Sequence, residues 1–349
     1  MTGIKGGNMV SNRFAAVIIG IFVLFAIPYV TTCIVQGKNN QKQQNIKSVK
    51  SGMNVCISDG EEYELIDVEE YIVYALAGKA DVTWNDEMLK TMAVVFRTSI
   101  YYEMEHQLVT GSEKGRNIIN EEDLYEIRYS KAELKEKLGS DYNRFMERVY
   151  DAVLLTGGQT ITYQGEFIMP VYHSISIGHT ISANELYGVD IPYLRNVDSS
   201  ADIEAENFTE TVIYSENRIK KEFQEKGFLD IWQEEISDEN AEQNQKSDGE
   251  TEYPENEFKI VEATESGFAK KINVFGQVVD GKTFSKVLNL SSTNVHIDKV
   301  DSGYRVIAIG RGNSMGLSLY GATAFAQNGM TYDEIIDYYY TDVEISNFK

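Results

Sequence analysis

Two histidines six positions apart, His173 and His179, bracket Ser174, Ser176 and Gly178 in the stretch HSISIGHT. Imidazoles ligate metals, but structural zinc usually takes four ligands and no cysteine lies nearby, so no metal is expected at this pair. The two rings are read as lining a polar cleft, with the serine hydroxyls as hydrogen-bond donors. A second chemistry-bearing group lies upstream, in AGKADVTWNDEMLK, where Lys79, Asp81, Asp86 and Glu87 fall together. A carboxylic acid here could move a proton. Asp86 and Glu87 are more simply first-turn helix residues favoured by the dipole. A third group is built of glycine: Gly310, Gly312, Gly316 and Gly321 crowd into twelve positions of GRGNSMGLSLYG. Glycine at that density marks backbone that turns tightly or lies close to something else.

These groups need elements to hold them. Leu89, Met92, Phe96 and Ile100 recur at helical spacing and predict a helix over 83–105, with Thr83-x-x-Asp86 and Asn85 as alternative caps. Ser130-x-x-Glu133 has capping-box spacing and opens a second helix that closes near Gly139, and a third runs from about Tyr142 to Thr156. The period then shortens. Residues 159–163 and 166–172 read as strands around Gln164-Gly165, a hairpin signal. Further strands are predicted at 258–263, 270–279, 294–298 and 303–309. After the glycine block, a capping box at Thr331-x-x-Glu334 starts a last helix ending in three tyrosines. Helices and strands in separate runs indicate an α+β fold.

Residues 14–35 carry no charge and are long enough to cross a bilayer, so they are read as an uncleaved anchor after a short cytoplasmic segment 1–13. Lys38, Lys42, Lys47 and Lys50 beyond the span outnumber Lys5 and Arg13 before it, so lysine counting does not favour an external C-terminal domain. Residues 36–60 are read as a stalk, polar and rich in Lys, Gln and Asn up to 53, and 61–346 as one folded domain. Within it, 233–257 is dense in acidic and amide residues and is read as a disordered insertion. The chain has 32 basic and 54 acidic residues; six of the bases and none of the acids precede Ser51, leaving 26 against 54 and a formal charge of −28 beyond it. Such a domain is a poor partner for nucleic acid, whose affinity comes largely from phosphate neutralisation, or for an anionic membrane surface.

Three blocks, in order, resemble the stage II sporulation protein D family, whose relatives include an amidase enhancer. They are Tyr71–Thr98 (YIVYALAGKADVTWNDEMLKTMAVVFRT), His173–Asp198 (HSISIGHTISANELYGVDIPYLRNVD), and the stretch from KVLNLSSTNVHI through GRGNSMGLSLYGATAFAQNGMTYDEIIDYYYTDVEI. The resemblance implies a single-span membrane protein with its bulk outside the cytoplasm, facing the cell wall. Its partners would be peptidoglycan glycan strands and a cell-wall amidase, with no cofactor. It further implies the chemistry of a lytic transglycosylase, which cleaves between N-acetylmuramic acid and N-acetylglucosamine without water. One carboxylic acid protonates the leaving oxygen and then takes the proton of the muramic 6-hydroxyl. Because the substrate supplies its own nucleophile, one acid–base residue suffices where glycosidases usually use two.

The family pattern puts a glutamate where this chain has Lys79. A lysine is ordinarily a cation and could serve as acid–base only if deep burial lowered its pKa, which leaves Asp81 as the substitute carboxylate. Elsewhere the resemblance suggests substrate contacts at Arg97, His173, Ser174, Ser176, His179, Asn313, Ser318 and Tyr320. Asn313 replaces a family histidine, and Ile175 and Ile177 stand where polar residues or glycine are frequent. Tyr320, Tyr193 and Trp84 are candidate sugar-stacking faces. Arg97, on an apolar helix face, also suits a buried ion pair. The function this implies is a wall-facing scaffold or enhancer that has lost its cutting residue; the alternative is an active transglycosylase using Asp81 or Lys79.

Overall fold

The computed structural model describes residues 51–59, 62–109, 118–227 and 257–347. The predicted anchor and most of the acidic insertion lie outside these residues. Among the described residues no helix is long and apolar enough to cross a membrane. Where one domain was expected over 61–346, the chain divides into two compact units. The first ends at Thr160 and includes Ser346 and Asn347; the second spans Ile161–Ile345.

The first unit is mainly helical. Strand β1 (Asn54–Asp59) lies between an antiparallel β2 (Glu62–Asp67) and a parallel β3 (Ile118–Asn120), so folded structure begins inside the stretch read as a stalk. Helix α1 (Val68–Lys79) follows, with Asp67 Oδ1 accepting the Glu69 amide at 2.9 Å. The sequence reading has no helix here. Val68, Tyr71, Ile72, Val73, Ala75, Leu76 and Ala77 are all buried, so no polar face marks the helical period. Helix α2 (Asp86–Val109) is the predicted first helix, and Asn85 rather than Thr83 caps it, taking the Met88 amide at 3.0 Å. Its stripe of Leu89, Met92, Phe96 and Ile100 is buried, but so are Val94 and Val95, because α1 and α4 both pack on it. The predicted capping box opens α3 (Lys131–Leu138), and Gly139 closes it at φ 52°. Helix α4 (Tyr142–Leu155) ends before Thr156, near its predicted limit.

Strand β4 (Gln159–Tyr163) turns through Gln164 and Gly165, both at positive φ, into β5, which runs only over Glu166–Phe167. Two positive φ angles match the turn that suits strand twist. The remainder of the predicted second strand is split off as β6 (Tyr172–His173), which pairs in parallel with β13 (Leu317–Ser318). Helix α5 (Ala183–Tyr187) lies in the segment after it.

The rest of the second unit is a set of strands with short helices. Strand β7 (Thr209–Tyr214) and β11 (Val295–Val300) flank β12 (Gly303–Ile309), and β8 (Phe258–Ala263) and β10 (Gln277–Asp280) flank β9 (Ala269–Val274). The predicted strand 270–279 is thus two strands, parted by Phe275 and Gly276 at positive φ. Helices α6 (Glu216–Glu225) and α7 (Gly281–Leu288) close a core of Phe223, Phe258, Phe275, Phe284 and Tyr304. Helices α8 (Leu319–Gln327) and α9 (Tyr332–Tyr339) end the unit, before β14 (Glu344–Asn347). The fold is mixed α+β as expected, and among the described residues β1–β3 and β6–β13 pair in parallel.

Candidate functional site

In the first unit the chemistry gathers around the end of α1. Lys79 is the helix's last residue and is exposed. Its neighbour Gly78 carries no side chain because the Tyr129 ring lies over it, where an added Cβ would sit 1.9 Å from Cδ2. Lys137 of α3 donates to the Gly78 carbonyl, and its ammonium stands 5.8 Å from the Tyr129 ring centre. Burial pushes the pKa of Lys137 down; Asp81 opposes that effect and the charge of Lys79 adds to it. The end of α1, where the resemblance leads one to expect a glutamate, thus brings the charges of Lys79 and Lys137 together with Asp81.

That aspartate is occupied. Asp81 Oδ1 accepts the Thr83 amide at 2.8 Å and the Thr83 hydroxyl at 2.7 Å. These bonds, the amide first, hold its carboxyl below the usual range, with Lys137 contributing. A general acid needs the opposite shift. Trp84, a candidate stacking face, is buried in the core instead.

Arg97 does not reach a ligand. It is fully buried and pairs with Glu69 through two bonds of 2.7 Å, Nε to Oε1 and Nη2 to Oε2. Its remaining donors go to the carbonyls of Ala93, Val153 and Gln159. Glu69 also accepts the Gly158 amide. The arginine ties α1 to α2 and to the end of α4, which corrects the expectation of a substrate contact in favour of an ion pair.

In the second unit the predicted blocks come together backbone to backbone. Arg311 exchanges hydrogen bonds with Ile175, its amide donating at 2.7 Å and its carbonyl accepting at 3.2 Å. The Ser174 amide donates to the same carbonyl, the Tyr320 amide to the Ser174 carbonyl, and the Ile181 amide to the Ser314 carbonyl. This closeness is what the glycines permit. At Gly316, with φ 70°, a Cβ would fall 2.1 Å from the Val171 carbonyl oxygen; at Gly321 it would fall 2.2 Å from the Tyr339 hydroxyl.

Asp202, which sequence reading did not single out, organises this clasp. It is fully buried. Oδ2 accepts the Ser176 amide at 2.8 Å and the Ser199 hydroxyl at 3.1 Å, and Oδ1 accepts the Ser318 hydroxyl at 2.8 Å. Ser199 lies 2.9 Å from the Tyr339 hydroxyl. Ser176 and Ser318, expected at a ligand, are instead fully buried. Ser176 Oγ accepts the Gly178 amide, and Ser318 caps α8. Asn313 takes the Met315 amide in a local turn. Ser174 and Tyr320 remain exposed. The Tyr193 hydroxyl is engaged by the Met169 amide.

His173 is buried, its Nδ1 donating to the Met315 carbonyl at 3.0 Å while Nε2 has no partner among the described residues. Desolvation brings its pKa down to about 4, against smaller upward effects from the Met315 bond and Asp202. The ring is thus neutral at physiological pH. His179 lies 3.4 Å from Ser266. Among the described residues no group of three or more His, Cys, Asp or Glu side chains could hold a metal ion.

The family model described as stage II sporulation protein matches residues 58–163, the stretch holding Lys79, Asp81 and Arg97. The stage II sporulation protein D of Bacillus subtilis is 27% identical over 303 residues, covering 87% of this chain and 81% of the relative. That of Bacillus amyloliquefaciens is 25% identical, with 87% and 81% covered. The chain is similar to the stage II sporulation protein D family over most of its length. An uncharacterized protein of Brachyspira hyodysenteriae is also similar, at 24% identity over 81% of this chain and 68% of that protein. The missed residues divide by the signal they left. Glu69 is the carboxylate that a buried Arg97 required, whereas nothing in the spacing of SSAD distinguishes Asp202.

Proposed function

We propose that this protein acts in sporulation as a membrane-anchored, wall-facing scaffold that binds peptidoglycan glycan strands or supports a wall amidase, and that it no longer cuts glycan. The observation that carries the reading is Lys79, an exposed ammonium where the resemblance to the family implies a proton-shuttling glutamate. A cation there meets the positive charge that develops on the sugar as the glycosidic bond breaks. Lys137 beside it makes the locality more cationic. The nearest substitute, Asp81, is held in its ionised form by Thr83 and has no proton to give. Lys79 also lacks the deep burial that an acid–base lysine requires. The membrane placement rests on the apolar run 14–35 and on the family precedent.

Incubating the purified protein with denuded glycan strands tests the reading. No 1,6-anhydro product is expected, and its formation would restore the transglycosylase alternative. Lys79→Glu is the companion variant: activity gained there means that the remaining cleft still holds substrate. Retention on insoluble wall material is expected; without it only the amidase-partner role survives. Protease accessibility on intact cells checks the orientation.

A further inference from the structure

A cavity of about 150 Å³ opens in the first unit, lined by Val82, Asp141, Arg144, Phe145 and Arg148. At roughly 30 Å³ per water this is room for about five waters, or for one small substituent. Arg144 and Arg148 sit four residues apart on one face of α4. Arg148 is committed to the loop after α1: Nε donates to Asp86 Oδ1 at 2.8 Å, Nη1 to the Val82 carbonyl at 3.4 Å, and Nη2 to the Trp84 carbonyl. Arg144 is exposed and has no hydrogen-bond or ion-pair partner among the described residues. Asp141 lines the same cavity without pairing to it. An uncommitted guanidinium at a cavity is conspicuous in a chain of net charge −22.

The lining specifies a ligand. A free guanidinium presents a planar fork that fits a carboxylate. Val82 and Phe145 offer an apolar wall for a short aliphatic group. Asp141 offers an acceptor for a neighbouring O–H or N–H, and the charge of Arg148 offsets its repulsion of an anion. We propose that this cavity holds a methyl-bearing carboxylate of peptidoglycan, a lactyl or an alanyl group, with Arg144 as its anchor. The proposal rests on the wall-binding reading and places one contact beside the loop that follows Lys79.

The test is titration of the full chain with N-acetylmuramic acid, N-acetylglucosamine and N-acetyl-d-alanine, followed by calorimetry. The two sugars differ only in the lactyl ether. Saturable binding of at least one acid is expected, with none for N-acetylglucosamine. Arg144→Gln should weaken that binding about tenfold, the loss of one charged hydrogen-bonded contact, and Arg144→Lys by less. Stronger binding of the muramic acid assigns the lactyl group; stronger binding of the alanine assigns the peptide stem. No response to either acid, an equal response to both sugars, or an unchanged affinity in Arg144→Gln overturns the pocket. Wall sedimentation separates this from the parent reading. Muramic acid binding without wall retention defeats wall binding and leaves the pocket. Equal retention of wild type and Arg144→Gln on intact and carboxyl-amidated wall defeats the pocket and leaves wall binding.

Discussion

Glu69 in the first unit and Asp202 in the second are both buried carboxylates, satisfied by opposite means. Glu69 faces a guanidinium in a two-pronged ion pair. Asp202 has no cationic partner among the described residues and is held by one amide and two hydroxyls. Burying a pair of charges costs much of what their attraction returns, so the Arg97–Glu69 pair is a conditional stabiliser: sound while complete, damaging when halved. A network of neutral donors has no second charge to strand. It specifies geometry instead, because Ser176, Ser199 and Ser318 come from separate segments and meet only when the clasp is closed. One unit is locked by charge and the other by directional bonds.

The largest expected effect lies in the first unit. Arg97→Met leaves Glu69 buried without its cation and should destabilise by about 3–5 kcal/mol, read from denaturant unfolding. Adding Glu69→Leu to that variant should recover most of the loss. A double variant as unstable as the single one would mean that the pair is not a charge lock, and the comparison would break.

The second unit is expected to resist a new charge. His173 titrates at about 4 in the folded protein, against about 6.5 in an unfolded chain. Below pH 6.5 the unfolded chain therefore binds a proton that the folded one refuses. Stability should be fully present above that pH, fall by about 3 kcal/mol on going down to pH 4, and flatten below it. The His173→Asn variant, which keeps a donor for the Met315 carbonyl, should lose this slope. Hydrogen exchange at the amides of Ile175 and Arg311 reports on the clasp itself. Asp202→Asn comes next: it swaps one acceptor oxygen for a donor facing donors and should cost about 2 kcal/mol. A cost near that of Arg97→Met would erase the distinction between the two locks.

The two units also differ in how far their sequence betrays them. Capped helices with one polar face were legible: α3 and α9 start at the predicted boxes, and α4 keeps its predicted limits. Helix α1 was not, because burial on all sides removes the period that reveals a helix. Strands were legible where glycine marked a turn, as at Gln164-Gly165, and were merged where a residue such as Phe275 turned without warning. The glycine block announced close approach but not its partner, since pairing with His173–Ile181 is a long-range fact. Lys79 and Asp81 were singled out by the family resemblance alone. Their surroundings were not legible, because Lys137 and Tyr129 reach that spot from distant parts of the chain.

The smallest effect gives the sharpest contrast, because each unit contains the same device. At Ser130 the hydroxyl accepts the Glu133 amide at 3.2 Å, and the Glu133 carboxylate takes the Ser130 amide at 2.7 Å. At Thr331 one oxygen of Glu334 takes both the amide, at 2.9 Å, and the hydroxyl proton, at 3.1 Å. The first box uses its hydroxyl and its carboxylate together, while in the second the carboxylate holds both the amide and the hydroxyl. Ser130→Ala should cost about 1 kcal/mol, and Thr331→Ala only a few tenths of that scale, measured by thermal unfolding. Glu334→Ala should then exceed Thr331→Ala, since it releases two bonds at once. Equal losses for the two hydroxyl deletions would mean that the motif, and not the way each unit uses it, sets the energy.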